Sequence, residues 1–444
     1  DHPGKETIPG LGDNAYLPGW PAKIGMVETE VLPDVGSGSN GSPVVARVLP
    51  GTSTPQIATA SVGGPPYLLN PDGTSAYGTD PQGHDITMAS EEGHSTGTDL
   101  PAVASLGGGV FGKLAGANSP MSFAMGATGL KRLLDIVLPD QQVGAQDFVG
   151  SWNGATGTFD PGFPALMNDL QFFNTPAIAD VDGSGRPSVL QGSAVYDVRG
   201  YQAGGLPTTG FPKFTGGWVT QTPSVGDLLG DGGLELAVPT REGNLFVWKT
   251  SGSVCGDLEW PKFQHDLHNS GDYDTDATPP GVLRDAQLTG GRVSLTASGD
   301  NGYCSGSAAH YVLTVDGQQH VLSATPAAAG TKQSLDVASL VADADSVQLS
   351  AEDAAGNLSY PVTLLSHNQK GGGPQLVFDG HPGESPVADA ASAAGGHSSA
   401  KPLHARLTNA LVDADIAILV LLAAMLVRSA RRLSGPGGKV AQTS

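Results

Sequence analysis

Cysteine occurs only twice in 444 residues, at Cys255 and Cys304. That excludes a disulfide-dense scaffold and, without C-x-x-C spacing, a cysteine zinc or redox motif. Charged residues make up 15% of the chain and aromatics 6%, too few strong helix formers for a bundle or coiled coil. Basic residues are the scarcer sign, 22 Lys and Arg against 43 Asp and Glu for a net charge of −21. This balance opposes approach to a phosphate backbone and argues against a nucleic-acid partner. Long apolar runs are missing apart from IAILVLLAAMLV at Ile416–Val427. The chain opens at Asp1 with no charged n-region and apolar h-region behind it, as expected of a processed chain or a piece of a longer one.

What is abundant is glycine, 64 residues, and proline, 33. Hydrophobic residues at 39% still suffice to bury cores, so a turn-rich, all-β chain of roughly two to four domains is expected. Internal repeats sharpen this. Four segments share a small-residue-Pro start, an apolar strand, a Gly/Asp loop and a second strand: SPVVARVLPGTSTPQIATA from Ser42, LPAVASLGGGVFGKLAGA from Leu100, TPAIADVDGSGRPSVLQGS from Thr175 and TPSVGDLLGDGGLELAVPT from Thr222. A second marker keeps the same beat at Gly19-Trp20-Pro21, Gly162-Phe163-Pro164, Gly210-Phe211-Pro212 and Glu259-Trp260-Pro261, the last three at intervals of 48 and 49. A period near 48 with several short strands predicts β-propeller blades over residues 1–274, complete or partial, because a four-stranded sheet buries both faces only against neighbouring blades.

Within SPMSFAMGATGLKRLLDIVLPD, Leu130, Leu133, Leu134 and Val137 share one helical face, which predicts an inserted helix near 121–138 with a structural role. Residues 278–366 alternate in short strands broken by turn signals, the pattern of a small β-sandwich. Residues 367–409 collapse to Gly, Ala, Ser, Pro and His, the composition of a disordered linker. The terminal run extends back to Ala410 at the cost of taking in Asp413 and Asp415 near its outer end, and Arg428, Arg431, Arg432 and Lys439 follow it. A transmembrane helix over 410–428 with a basic cytoplasmic tail over 429–444 is expected, the alternative being an amphipathic or docked terminal helix.

TPAIADVDGSGRPSVL and TPSVGDLLGDGGLELAV resemble the FG-GAP or VCBS-type repeat of integrin-α-like β-propellers. EWPKFQHDLHNSGDY looks like the end of such propellers in secreted bacterial proteins, and similar repeats occur in C-terminal regions of large secreted subtilisin-like peptidases. SVQLSAEDAAGNLSYPVTL resembles a fibronectin type III or bacterial Ig-like module. The repeat family binds Ca²⁺ in its loops, where several hard oxygens converge. Carried over, the resemblance implies weak calcium ligation by Asp180, Asp182 and Ser184, with the Val181 carbonyl, and by Asp227, Asp231 and Glu235. Ser188 stands where the family prefers an acid and Leu229 replaces another, and the loops LPGTST and GGGVFG have lost their acids. The alternative for the whole set is a tight turn that keeps Asp for its own hydrogen bonds.

Other constellations are weaker. Gly107–Gly112 satisfies G-x-G-x-x-G, but KLAGANSP behind it breaks any helix, so a dinucleotide site is not expected. His265 and His268 at i, i+3 have no third ligand placed by spacing and are read as structural. No G-x-S-x-G and no subtilisin-type serine loop occurs, so no catalysis is expected of these residues. Asn40 and Asn357 head sequons, and Trp152, Trp218 and Trp248 are candidate loop aromatics, with packing between blades as their other fate. In an extracellular chain a Cys255–Cys304 bridge is expected to tie propeller to sandwich, two unpaired thiols being the alternative. The expectation is a non-catalytic recognition, adhesion or scaffold protein, secreted or anchored at the cell surface, with a protein or glycan ligand. The alternative is the non-catalytic C-terminal region of a large secreted subtilisin-like serine peptidase.

Overall fold

Short apolar segments punctuated by glycine turns can only bury themselves as β-meanders, and meanders are what form. The structure is a computed structural model. It describes residues 17–366 except 18, 23, 25, 30–31, 37, 63, 82, 91–92, 97–102, 130–146 and 168–169. The chain divides into two units, 1–366 and 367–444. The second unit, with the expected linker, membrane helix and basic tail, lies outside the described residues. Among those described, no helix is long and apolar enough to cross a membrane.

A hairpin of β1 (Met26–Thr29) and β2 (Leu32–Gly36) precedes a meander of β3 (Val44–Ala46), β4 (Gln56–Thr59) and β5 (Tyr67–Leu69). A second hairpin, β6 (Ile86–Ser90) and β7 (Gly93–Thr96), follows. The second meander contains β8 (Val103–Ala104), β9 (Val110–Gly112), β10 (Ser122–Gly129), β11 (Phe148–Asn153) and β12 (Ala165–Leu166). The third contains β13 (Ala177–Ala179), β14 (Ser188–Gly192), β15 (Asp197–Gln202), β16 (Leu206–Pro207) and β17 (Lys213–Phe214). The fourth contains β18 (Ser224–Gly226), β19 (Gly233–Pro239) and β20 (Leu245–Ser253). Every named pairing is antiparallel, and the innermost strands pack in turn, β3 against β9, β9 against β13, and β13 against β18.

Two sequence expectations are corrected here. Ser122–Gly129 is a strand whose side chains from Ser122 to Thr128 are buried, not the start of an inserted helix. Its alternating register with β11, from Ser122 opposite Asn153 to Ala127 opposite Phe148, needs extended backbone. The rest of that expected helix lies outside the described residues. The innermost strand of the second meander is Val110–Gly112, which starts ten residues after Leu100, so GGGVFG is buried throughout and its second half is strand rather than loop. Its glycines are steric: a Cβ on Gly109 would meet the Phe123 ring at 2.0 Å.

The Gly-aromatic-Pro marker has one conformation in three of its four places. Gly19, Gly162 and Gly210 have φ of 86°, 81° and 80°, and the Trp20-Pro21, Phe163-Pro164 and Phe211-Pro212 bonds are cis. A Cβ on Gly162 would lie 2.0 Å from the Gly204 carbonyl oxygen, and one on Gly19 would lie 1.7 Å from that of Asp72. At Gly19 and Gly162 the marker thus seats the chain backbone to backbone on a turn further along.

The fourth marker, around Trp260, does something else. From Asp257 to Asp274 the chain crosses all four innermost strands. Ile178 and Trp260 exchange N–H···O bonds of 2.8 Å, Asp180 N donates to the Asp257 carbonyl, and Val225 N donates to that of Pro261. Val45 N donates to Gly271, and Tyr273 N donates back to Val45. Lys113 N reaches a Glu259 carboxylate oxygen at 2.8 Å. Trp260 is fully buried in a core shared with Val44, Phe111, Phe123, Trp152 and Ile178. A second core joins the third and fourth meanders through Leu190, Val198, Leu234 and Leu236.

Residues 284–366 form β21 (Arg284–Thr289), β22 (Arg292–Thr296), β23 (His310–Val315), β24 (Gln318–Val321), β25 (Lys332–Asp336), β26 (Ser346–Glu352) and β27 (Val362–Ser366). They are arranged as sheets β21-β22-β25 and β24-β23-β26-β27. Val293, Leu295, Tyr311, Leu313, Leu335, Val347 and Leu349 alternate inward to one core, as facing sheets require. Cys255 and Cys304 are bonded, with Cα atoms 5.5 Å apart. The Tyr303 hydroxyl lies within hydrogen-bond distance of the carbonyls of Gly230 and Val282, at 2.9 and 3.0 Å, and Arg284 lies 3.6 Å from its ring centre.

Gly162→Ala should destabilise the protein by more than about 2 kcal/mol, since positive φ and a backbone clash act together. Gly210→Ala meets only the Lys213 ammonium at 3.8 Å and should cost roughly 1 kcal/mol. Urea midpoints that moved equally would contradict the docking role of Gly162.

Candidate functional site

The four meanders leave their innermost strands at one register position. The residue after β3 is Arg47, after β9 Lys113, after β13 Asp180 and after β18 Asp227. Opposite the last strand residue stand, in the same order, Gln56, Ser122, Ser188 and Glu235. Strand geometry places these residues side by side at the mouths of the loops, whatever their chemistry.

In the third meander the buried Asp180 accepts Ser184 N at 3.2 Å and Gly185 N at 2.8 Å. Asp182 shares the same Ser184 N at 3.1 Å and also takes the Gln202 amide and Thr209 N. Gln202 Nε2 reaches Ser184 Oγ at 2.9 Å. Partial burial works against the Asp182 charge, but the bonds from Ser184 and Thr209 outweigh it and hold the carboxyl below its ordinary value. Ser184 N touches both carboxylates, and Asp180, Asp182 and Ser184 are thus brought together.

The fourth loop is built differently. Asp227 accepts Asp231 N and Gly232 N at 3.0 and 2.9 Å. Asp231 is met by the Lys249 ammonium at 2.7 Å, and that bond, with one from Gly233 N, lowers its pKa. Glu235 is buried and accepts Leu228 N at 2.9 Å, while its Oε1 is buried without a partner. Burial pushes the Glu235 carboxyl up, and Asp231 and Asp227 add to the effect. The first meander performs the same clamp with a neutral side chain: Gln56 Oε1 accepts Val48 N and Leu49 N at 2.9 and 3.1 Å. Glu235 therefore closes a turn, as Gln56 does. Among the described residues no group of three or more His, Cys, Asp or Glu side chains is gathered closely enough to hold a metal ion.

The other candidates fall apart spatially or sink into cores. His265 is buried, its ring 4.7 Å from that of Trp260 and 5.8 Å from that of Tyr273, and burial lowers its pKa. His268 is exposed on the far side of a loop tied by Asp266 to His268 N and Ser270 N. Trp152 is fully buried and donates to the Ala89 carbonyl. Trp218 packs edge-on to Phe173 and Trp248 stacks on Phe246. The Asn357 side chain is buried against Asp276 and Asp353. Arg47 and Lys113 were invisible as a pair because the Leu100 alignment misplaced the second strand. Aligning Gly-Val-Phe-Gly-Lys at 109–113 with Pro-Ala-Ile-Ala-Asp at 176–180 would have revealed them.

No protein-family model matches the chain, and no curated protein matches it in sequence. Among solved structures it is similar to the computationally designed Ika4 protein at 12% identity and TM-score 0.25, over 50% of this chain and 96% of that one. It is also similar to BBS1N, in complex with ARL6DN and soaked with lead, at 10% identity and TM-score 0.28, over 78% and 99%. BamB from Moraxella catarrhalis is similar at 11% identity and TM-score 0.23, over 75% and 87%.

Glu235→Gln should keep the clamp and remove a buried charge. A raised folded-state pKa means the ionised carboxylate opposes folding once pH exceeds the unfolded value of 4.5. The variant should therefore melt above the wild type at pH 7, with the gap closing as pH falls below 4.5. A lower melting temperature at pH 7 would refute the clamp reading.

Proposed function

We propose that the chain is a non-catalytic extracellular recognition protein. Its four meanders act as blades of a small FG-GAP-like β-propeller whose loops form the binding face. The observation that carries this reading is the shared register position occupied by Arg47, Lys113, Asp180 and Asp227. One rigid frame presents two cations and two carboxylates at equivalent loop mouths, which is how a scaffold varies recognition without altering its fold. The contacts of Asp257–Asp274 with all four innermost strands support a closed arrangement of blades. The Cys255–Cys304 bond supports an oxidising compartment, and membrane attachment through 410–428 belongs to the same proposal.

The labelled full chain is expected to bind saturably to an array of extracellular proteins and glycans. Replacing Asp182–Arg186 with an equal run of Gly and Ser should weaken that binding without lowering the content of folded protein. Binding that survives replacement of every one of the four loops would sink the reading.

Calcium enters only at the third loop, where the Asp180 and Asp182 carboxylates share the Ser184 N–H and offer oxygens to a cation. The fourth loop already holds the Lys249 ammonium at Asp231 and is left out. Millimolar Ca²⁺ should raise the melting temperature by a few degrees, and Asp182→Ala should abolish the rise. A melting curve unchanged between calcium and chelator would remove the ion from the proposal.

A further inference from the structure

The two cationic loop mouths meet. Arg47 and Lys113 both line a cavity of about 370 Å³ between the loop after β3 and the loop after β9. Its volume falls within the range of small-molecule sites, roughly 300–1,000 Å³. Leu49, Pro120 and Met121 give it apolar walls, and Asn118 stands at its rim. Two basic residues at one cavity are conspicuous in a chain with 22 Lys and Arg against 43 Asp and Glu, and they occupy the positions that carry Asp180 and Asp227 elsewhere.

The surrounding carboxylates leave both cations available. Arg47 Nε is 3.6 Å from Asp274 with more than half of its side chain exposed, a surface pair of little strength. Glu259 accepts the Lys113 main-chain N–H and the Tyr273 hydroxyl, and burial pushes its carboxyl up while these bonds and the Lys113 charge pull the other way. No hydrogen bond or ion pair engages the Lys113 ammonium among the described residues.

We propose that this cavity binds a small organic carboxylate, its anionic end between Arg47 and Lys113 and a compact hydrocarbon body against Leu49, Pro120 and Met121. Charge-assisted bonds to the two cations supply the attraction, and the apolar wall selects against small inorganic anions. The site is independent of the identity of any macromolecular partner. Titration of a small acid reads the cavity and the array reads the recognition proposal, so either can fail alone.

The test is isothermal titration of the full chain at low ionic strength with phenylacetate, phenylacetamide and sodium sulfate. Phenylacetate should bind saturably, and the neutral amide and sulfate should each bind at least roughly tenfold more weakly. Arg47→Gln and Lys113→Gln should each weaken phenylacetate about tenfold, whereas Lys332→Gln, exposed on β25, should leave it unchanged. Absence of saturable binding by phenylacetate, equal binding of the amide or of sulfate, or full affinity in both cation variants would each overturn the assignment.

Discussion

The fold depends on one crossing segment. A meander of three to five short strands leaves apolar groups on both faces, and each of the four here must borrow its missing cover from a neighbour. Asp257–Asp274 supplies the part that neighbours cannot. Its main chain bonds to Val45, Ile178, Asp180 and Val225, and its Glu259 side chain bonds to Lys113 N. Trp260 fills the space these bonds enclose, and His265 and Tyr273 pack around it. Remove this segment and the innermost strands lose hydrogen-bond partners and core in the same step.

Loop chemistry follows from that frame. With the innermost strands held in register, the residue that leaves each strand is fixed in space before its identity matters. Asp180 and Asp227 use the position to gather loop N–H groups, while Arg47 and Lys113 use it to border a cavity. The clamp opposite shows the same tolerance: Gln56 and Glu235 accept equivalent turn N–H groups, one neutral and one buried with its charge. Rigid geometry with free choice of charge is the physical content of the recognition proposal.

The joint to the paired sheets of residues 284–366 extends the constraint. Tyr303 bonds to the Gly230 carbonyl of the fourth loop, and the Cys255–Cys304 bond lies beside the same contact. Among the described residues the third loop has no such tether to residues 284–366, and it is closed instead by Gln202 and Thr209 from its own meander and by Ser251 N of β20, which donates to the Val181 carbonyl. The two acidic loops, so alike in sequence, therefore stand in different mechanical surroundings.

The sequence by itself determined the all-β character and the alternation of the short strands, because alternation and glycine spacing are local properties. Positive φ at Gly162 and Gly210 needs no partner to be foreseen. Tertiary structure alone decided the rest. Met125 and Ala127 fall in a segment whose sequence predicts an inserted helix, and they are strand because β11 pairs with them. Glu259-Trp260-Pro261 carries the marker of a blade yet became the central staple, because burial of the Trp260 ring outweighed the repeat. Arg47 and Lys113 lie far apart in the chain and came together only when β3 packed against β9, a contact between distant residues that no local period encodes.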